Sequence, residues 1–152
     1  MKKIKKTFDA LVYKLGPKYK ESYSQCGEDI IVSRLLRDMG ITEPFYIDIG
    51  ANDPVIYSNT YLFYKKSARG ICIEPNKSLY KKISEKRPRD TCLNIGVGAK
   101  EDVGKLYILS NDALSTFSES EASAATNEGH RIVEIVDIER KTLAGIIEEQ
   151  DI

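Results

Sequence analysis

Three short apolar runs, Phe45–Ile49, Ile71–Ile73 and Thr91–Ile95, alternate with segments whose apolar residues recur at helical spacing, and this alternation limits the chain to few architectures. The first run ends abruptly in Gly50-Ala51-Asn52-Asp53-Pro54, and the second follows Gly70 and stops at Glu74-Pro75. Between them, Ser58 is placed to cap a helix running from Asn59 to Lys66. A further helix is expected from Asn76, with Leu79, Tyr80 and Ile83 on its apolar side and a stop near Arg87-Pro88. Strand, helix, strand, repeated, is the signature of right-handed βαβ units. The expected fold class is therefore α/β, a parallel sheet flanked by helices.

The flanking segments extend this plan. Ile30, Ile31, Leu35, Leu36 and Met39 form one face of a helix from about Glu28 to Met39, with Gly40 as its C-terminal stop. Ahead of it, Ile4, Phe8, Leu11, Val12 and Leu15 alternate with lysines in a basic amphipathic helix closed by Gly16-Pro17. The chain thus divides into an N-terminal helix and linker over 1–22 and one domain over 23–152. Past Gly98, Lys105–Leu109 and Arg131–Ile138 read as strands around a Ser/Ala/Glu-rich tract from Ser115 to Gly129, and Thr142–Glu149 as a closing helix. A further strand would be expected where the sequence reaches Ile152, so the sheet reads as cut short after its third βα unit.

Composition narrows the function classes. At 152 residues, 41% hydrophobic and 30% charged, the chain has the balance of an ordinary globular domain. The 23 basic and 23 acidic residues cancel, but Met1–Lys20 holds seven Lys against the single Asp9, a net +6 that leaves the remainder at −6. An acidic body argues against a nucleic-acid groove, which must neutralise several phosphates at once. The basic helix could lie on an anionic membrane surface, but packing of its stripe on the domain is the reading preferred. Cys26, Cys72 and Cys92 are odd in number and form no Cys-x-x-Cys pair; the latter two, inside apolar runs, are expected to be buried. With neither a signal peptide nor a stretch of roughly 20 apolar residues, the expected location is the cytoplasm.

In an open parallel sheet, ligands bind outside the carboxyl ends of the strands. The first strand presents Asp48 and the loop Gly50-Ala51-Asn52, where Gly50 lets backbone approach a ligand and Asn52 can tolerate an unusual backbone conformation. An aminoacyl group with a free ammonium and carboxylate would meet an acidic side chain and N–H donors there. The second strand presents Glu74, 26 positions after Asp48 (74 − 48), with two oxygens suited to the paired hydroxyls of a ribose. Together they point to a nucleoside-type ligand. A dinucleotide would want Gly-x-Gly-x-x-Gly after the first strand, whereas here the second and third glycines are absent and Asp53 would repel a pyrophosphate. S-adenosylmethionine carries a sulfonium cation and no phosphate, and an acidic loop suits it better.

Four blocks in order, Ser24-Gln25-Cys26-Gly27-Glu28-Asp29, Tyr46 to Pro54, Ser58-Asn59-Thr60-Tyr61-Leu62-Phe63-Tyr64 and Gly70 to Asn76, closely resemble the FkbM family of S-adenosylmethionine-dependent methyltransferases. The resemblance is strongest from Ser24 to about Gly98. It implies a Rossmann-like class I methyltransferase fold in which Asp48, Gly50, Ala51 and Asn52 surround the amino-acid end of the cofactor and Glu74 holds its ribose. It further implies that Asn76 and the stretch Asn94 to Gly96 flank the adenine, and that Gln25, Gly27 and Glu28 close over the cofactor or acceptor. Members commonly methylate hydroxyl groups on sugars or natural products, so a small-molecule or glycan acceptor is implied. Full-length relatives continue into a fourth strand with an acidic motif beside the first strand. Without it, the first strand would be an open apolar edge able to pair with another chain. The alternative is then a non-catalytic fragment or degenerate paralogue that keeps only the nucleoside-binding half.

The remaining candidates receive structural readings. His130, the sole histidine, has no partners at ligand spacing, and no metal is assigned. Tyr57, Tyr61, Tyr64 and Tyr80 are expected on helices that pack on the sheet. Ser115 and Thr116 could touch an acceptor, but hydroxyls in such loops more often bond local backbone. No side chain is singled out as catalytic.

Overall fold

The computed structural model describes residues 21–152, so the expected helix in Met1–Leu15 and its stop at Gly16-Pro17 lie outside the described residues. In chain order the elements are α1 (Glu28–Asp38), β1 (Phe45–Ile49), α2 (Tyr61–Lys65), β2 (Arg69–Ile73), α3 (Lys77–Lys86), β3 (Thr91–Leu93), β4 (Gly96–Val97) and β5 (Asp102–Leu109). A 3₁₀ turn (Asp112–Leu114), α4 (Glu119–Asn127), β6 (Ile132–Lys141) and α5 (Leu143–Glu149) complete them.

β1, β2 and β3 form the expected parallel sheet in that order, with Phe45 to Ile49 in register with Arg69 to Ile73, and Ile71 to Ile73 with Thr91 to Leu93. Alternation along β2 sends its side chains to opposite faces. Ile71 and Ile73 pack with Ile146 of α5, joined by Ile47, Leu93, Ile95 and Val97. Cys72 faces the other way, onto Ile83 of α3 and Ala51. Each fully buried isoleucine contributes about 1.5–3 kcal/mol of transfer free energy. Helices on both faces thus bury the sheet as the apolar runs require.

Several elements differ from expectation. The third strand ends at Leu93 rather than Ile95, because the Asn94 side chain turns back to donate to the carbonyls of Glu74 and Pro75, both at 2.9 Å. The chain then enters a second sheet, ordered β4-β6-β5, in which β4 runs parallel to β6 and β5 antiparallel to it. β5 and β6 are both longer than the expected Lys105–Leu109 and Arg131–Ile138. They are not a continuation of the parallel sheet. The tract between them forms α4, capped by Ser118, with Ala122 and Ala125 buried.

α1 is present and stops at Gly40 with φ 77°, as expected, but Ile31, Leu35 and Met39 of its apolar face are exposed. Its buried residue is Asp29. The expected helix Asn59–Lys66 is shortened to Tyr61–Lys65, although the Ser58 hydroxyl does accept the first-turn N–H of Tyr61 at 3.1 Å. Tyr57 is therefore not a helical core residue: it lies in the preceding loop with φ 59°, 67% exposed. Cys72 is buried, while Cys92, also expected to be buried, is only half-buried. β1 pairs with β2 alone, so its other edge is open among the described residues. None of the described helices is long and apolar enough to cross a membrane.

Candidate active site

The carboxyl ends of β1 and β2 open into a cleft of about 310 Å³, within the roughly 300–1,000 Å³ usual for small-ligand sites. Backbone geometry shapes its floor. The N–H groups of Gly50 and Ala51 both donate to the Ile73 carbonyl, at 2.9 and 3.2 Å, which folds the loop after β1 across the end of β2. That fold needs two left-handed residues, Gly50 with φ 71° and Asn52 with φ 51°, which glycine and asparagine tolerate best. A Cβ on Gly50 would meet nothing within 4 Å, so backbone conformation and not crowding calls for glycine there.

Glu74 sits at the centre. Its side chain is bound at both oxygens: Oε2 accepts the N–H of Asn52 at 2.9 Å and Oε1 that of Asn76 at 2.8 Å. Only 5% of the residue is exposed, and burial raises its carboxyl above the ordinary glutamate value; the two N–H donors oppose the rise, while the charges of Asp112 and Asp48 add to it. A carboxylate oxygen has two lone pairs, so each keeps one for a ligand hydroxyl.

Asp48 lines the same cleft from the tip of β1. Its Oδ2 accepts the Thr60 hydroxyl and lies 3.9 Å from Nη1 of the fully buried Arg87, whereas Oδ1 receives no hydrogen bond from the described residues. The ion pair does not withdraw Asp48 from the cleft.

Of the residues singled out from sequence, Gln25, Asp48, Gly50, Ala51, Asn52 and Glu74 line this one cleft. Asn76, Asn94, Gly96, Gly27 and Glu28 do not. Asn76 is buried and caps α3 through Oδ1, which accepts from Ser78 N at 3.0 Å, while its own N–H secures Glu74. Gly96 faces the Phe117 ring and Arg140 in the second sheet. Glu28 accepts the N–H of Cys26 at 2.8 Å, and Gly27 is the N-cap of α1 with φ 88°.

The Gln25 loop is organised by Asp29, the last residue of the Ser24–Asp29 block. Its carboxylate accepts from Ser22 Oγ at 2.6 Å, Tyr23 N at 2.8 Å and Ser24 Oγ at 2.9 Å. Burial works to raise this carboxyl, but those donors together with Ile30 N outweigh it and hold it below the ordinary aspartate value. Missed was the wall contributed by β5 and the turn after it, Leu106, Asp112 and Ala113. Nothing local in the sequence aims the Asn111-Asp112 turn at the strand tips. Ser115 does bond local backbone as expected, accepting Leu109 N at 3.2 Å, and lines the cleft as well.

Among the described residues, the cleft lining therefore carries three carboxylates, Asp48, Glu74 and Asp112, and no Lys, Arg or His. That lining favours a cation and disfavours a phosphate. No cluster of three or more His, Cys, Asp or Glu among the described residues could hold a metal ion.

Residues 48–152 match the family model described as "Methyltransferase FkbM domain". The match opens at Asp48, so the Ser24–Asp29 block lies outside it. No curated protein and no solved structure matches the chain.

Proposed function

The chain belongs to the FkbM methyltransferase family, and from that premise we propose that its cleft binds S-adenosylmethionine for transfer of the methyl group to a hydroxyl of a sugar or natural product. The observation that carries this reading is Glu74, buried, bound by an N–H at each oxygen and lining a cleft without basic residues among those described. Such a carboxylate is pre-oriented for two vicinal hydroxyls, and its neighbours suit a ligand of positive charge.

The residues fit the group on its chemistry. Glu74 would hold the ribose, and the free Oδ1 of Asp48 would accept from the aminoacyl ammonium. Gly50, Ala51 and Asn52 bring backbone close to the same end, and Gln25 lines the cleft with them. Asn76 and Asn94 act from behind, the first through its N–H to Glu74 and the second by tying down the carbonyls at the end of β2. When bound, the cofactor supplies an electrophilic methyl group to an in-line acceptor oxygen. The chain's own contribution is positioning, which accounts for much of the rate in a two-reactant transfer. A Rossmann-like arrangement of the parallel sheet is part of this reading, and three free thiols accord with a cytoplasmic setting.

Calorimetric titration with S-adenosylhomocysteine tests the binding step: saturable heat is expected from the wild type and a clear loss from Asp48→Ala. No heat at millimolar ligand, or equal binding by the variant, would overturn the reading. Methyl transfer to a panel of glycans then separates an active enzyme from a chain that binds the nucleoside without turnover.

A further inference from the structure

Behind the cleft lies a buried polar cluster that the binding reading does not use. Arg87, the C-cap of α3, is 0% exposed, and its guanidinium reaches five partners from three segments. Nε donates to Asp90 Oδ2 at 2.8 Å, and Nη2 to Tyr46 Oη at 3.1 Å and Thr60 Oγ1 at 2.9 Å. Nη1 donates to Ser58 Oγ at 3.4 Å and lies 3.9 Å from Asp48 Oδ2. On the far side, Asp90 also accepts from Tyr46 Oη and from the N–H of Gly70, at 2.8 and 3.0 Å.

The direction of the hydrogen bonds is fixed by chemistry. A guanidinium has only donors, so Thr60 Oγ1 must accept from Arg87. Its single proton is then left for Asp48 Oδ2, the oxygen it contacts. The chain Arg87 to Thr60 to Asp48 can therefore run one way only, and it occupies the oxygen of Asp48 that faces the cluster. The Tyr46 and Asp90 side chains anchor the same guanidinium but make no hydrogen bond to a lining residue among those described.

We propose that Arg87 and Thr60 are positioning residues for ligand recognition: they fix the Asp48 carboxylate so that its other oxygen is presented to a cationic ammonium on the bound ligand. This rests on the reading above, in which Asp48 takes the aminoacyl end. Specificity for a ligand with a free ammonium is then set partly by a residue that never meets it.

The test is a double-mutant cycle on the full chain, read by calorimetry with S-adenosylhomocysteine, which bears the ammonium, and 5′-methylthioadenosine, which lacks it. Thr60→Val removes the hydroxyl at nearly constant volume and is expected to weaken S-adenosylhomocysteine by about fivefold to tenfold, the worth of one hydrogen bond. It should leave 5′-methylthioadenosine unchanged, and add nothing in an Asp48→Asn background. Thr60→Ser should restore wild-type binding. Tyr46→Phe is the control for a merely structural role: it loosens the cluster without touching Asp48 and should lower thermal stability while preserving the ratio of the two affinities. Should Thr60→Val not fold, Thr60→Ala read against Thr60→Ser makes the same comparison. Equal weakening of both ligands, or an equal effect of the substitution in the Asp48→Asn background, overturns the proposal. A wild type that binds no S-adenosylhomocysteine overturns the functional reading and this one together; a wild type that binds, with an unaffected Thr60→Val, overturns this one alone.

Discussion

The Glu74 carboxylate accepts the backbone N–H of Asn52 across 2.9 Å, tying the loop that leaves β1 to the side chain that ends β2. The loop's shape and the carboxylate's aim are thereby one property. Asn52 holds φ at 51° in the same loop, whose N–H reaches Glu74.

Glu74→Gln is accordingly expected to weaken S-adenosylhomocysteine by about tenfold to a hundredfold, since hydrogen bonds to a charged group contribute about 1.5–3 kcal/mol. A glutamine can accept at one oxygen only, and its amide nitrogen would face a second N–H donor. Isothermal calorimetry measures the loss; affinity within twofold of wild type would contradict the role given to this side chain.

The same residue sets a pH dependence. Burial raises the folded-state value of Glu74 above its ordinary 4.5, so the fold favours the protonated form. Its stabilising contribution is then full below 4.5 and is lost as pH rises through the raised value, while ligand binding needs the ionised form and runs the opposite way. Affinity should fall on acidification at a pH above 4.5, and Glu74→Gln should flatten that limb of the profile.

Much of this site could be read from the sequence because its determinants are local. The strand ends at Asp48 and Glu74, the left-handed Asn52 and the Asn76 start of α3 are each set by a few neighbouring residues. What could not be read depends on distance. Gly96 and Val97 pair with Arg140 and Lys141, some forty positions away, so the pairing of the second sheet and its placing of Asp112 at the cleft leave no local trace. Tyr57 misled because it precedes Tyr61 by one helical turn. The Asp53 carboxylate instead accepts the N–H groups of Val55 and Ile56, at 2.9 and 2.8 Å, and holds that stretch in a turn. The spacing of apolar residues in α1 was correct, yet spacing alone cannot say what covers a face.

Gly70 is required for contact. A Cβ there would lie 2.2 Å from the Tyr46 carbonyl oxygen and 2.3 Å from its ring. Gly70→Ala must push Tyr46 away from Asp90 and Arg87, which its hydroxyl joins. A loss of about 3 kcal/mol is expected from the overpacking, read as a lowered urea midpoint; an unchanged midpoint would show that β1 can yield without cost.

The open edge of β1 carries a separate expectation. Phe45 is 53% exposed and Ile49 51%, on a strand bonded along one side only among the described residues. Unpaired strand edges bearing apolar residues invite pairing with another chain. Sedimentation velocity should show mass rising with concentration, and Phe45→Lys, which places a charge on that edge without entering the cleft, should suppress it. A monomer at every concentration would argue that the twist of the sheet already protects the edge.

Asp29 links stability to the cleft through the Gln25 loop. Its carboxylate gathers Ser22, Tyr23 and Ser24 on one side and the N–H of Ile30 on the other, and it is fully buried. Asp29→Ala leaves those donors without an acceptor, a cost of about 1–3 kcal/mol for buried groups. Because hydrogen bonding depresses this carboxyl below 3.8, its contribution is present above 3.8 and lost as pH falls through the lower folded value. The wild type should therefore lose stability relative to Asp29→Ala only under strong acid, whereas at neutral pH the variant should show faster amide exchange at Tyr23 and Ile30. If exchange at those two amides is unchanged, the loop that brings Gln25 to the cleft is held by something other than Asp29.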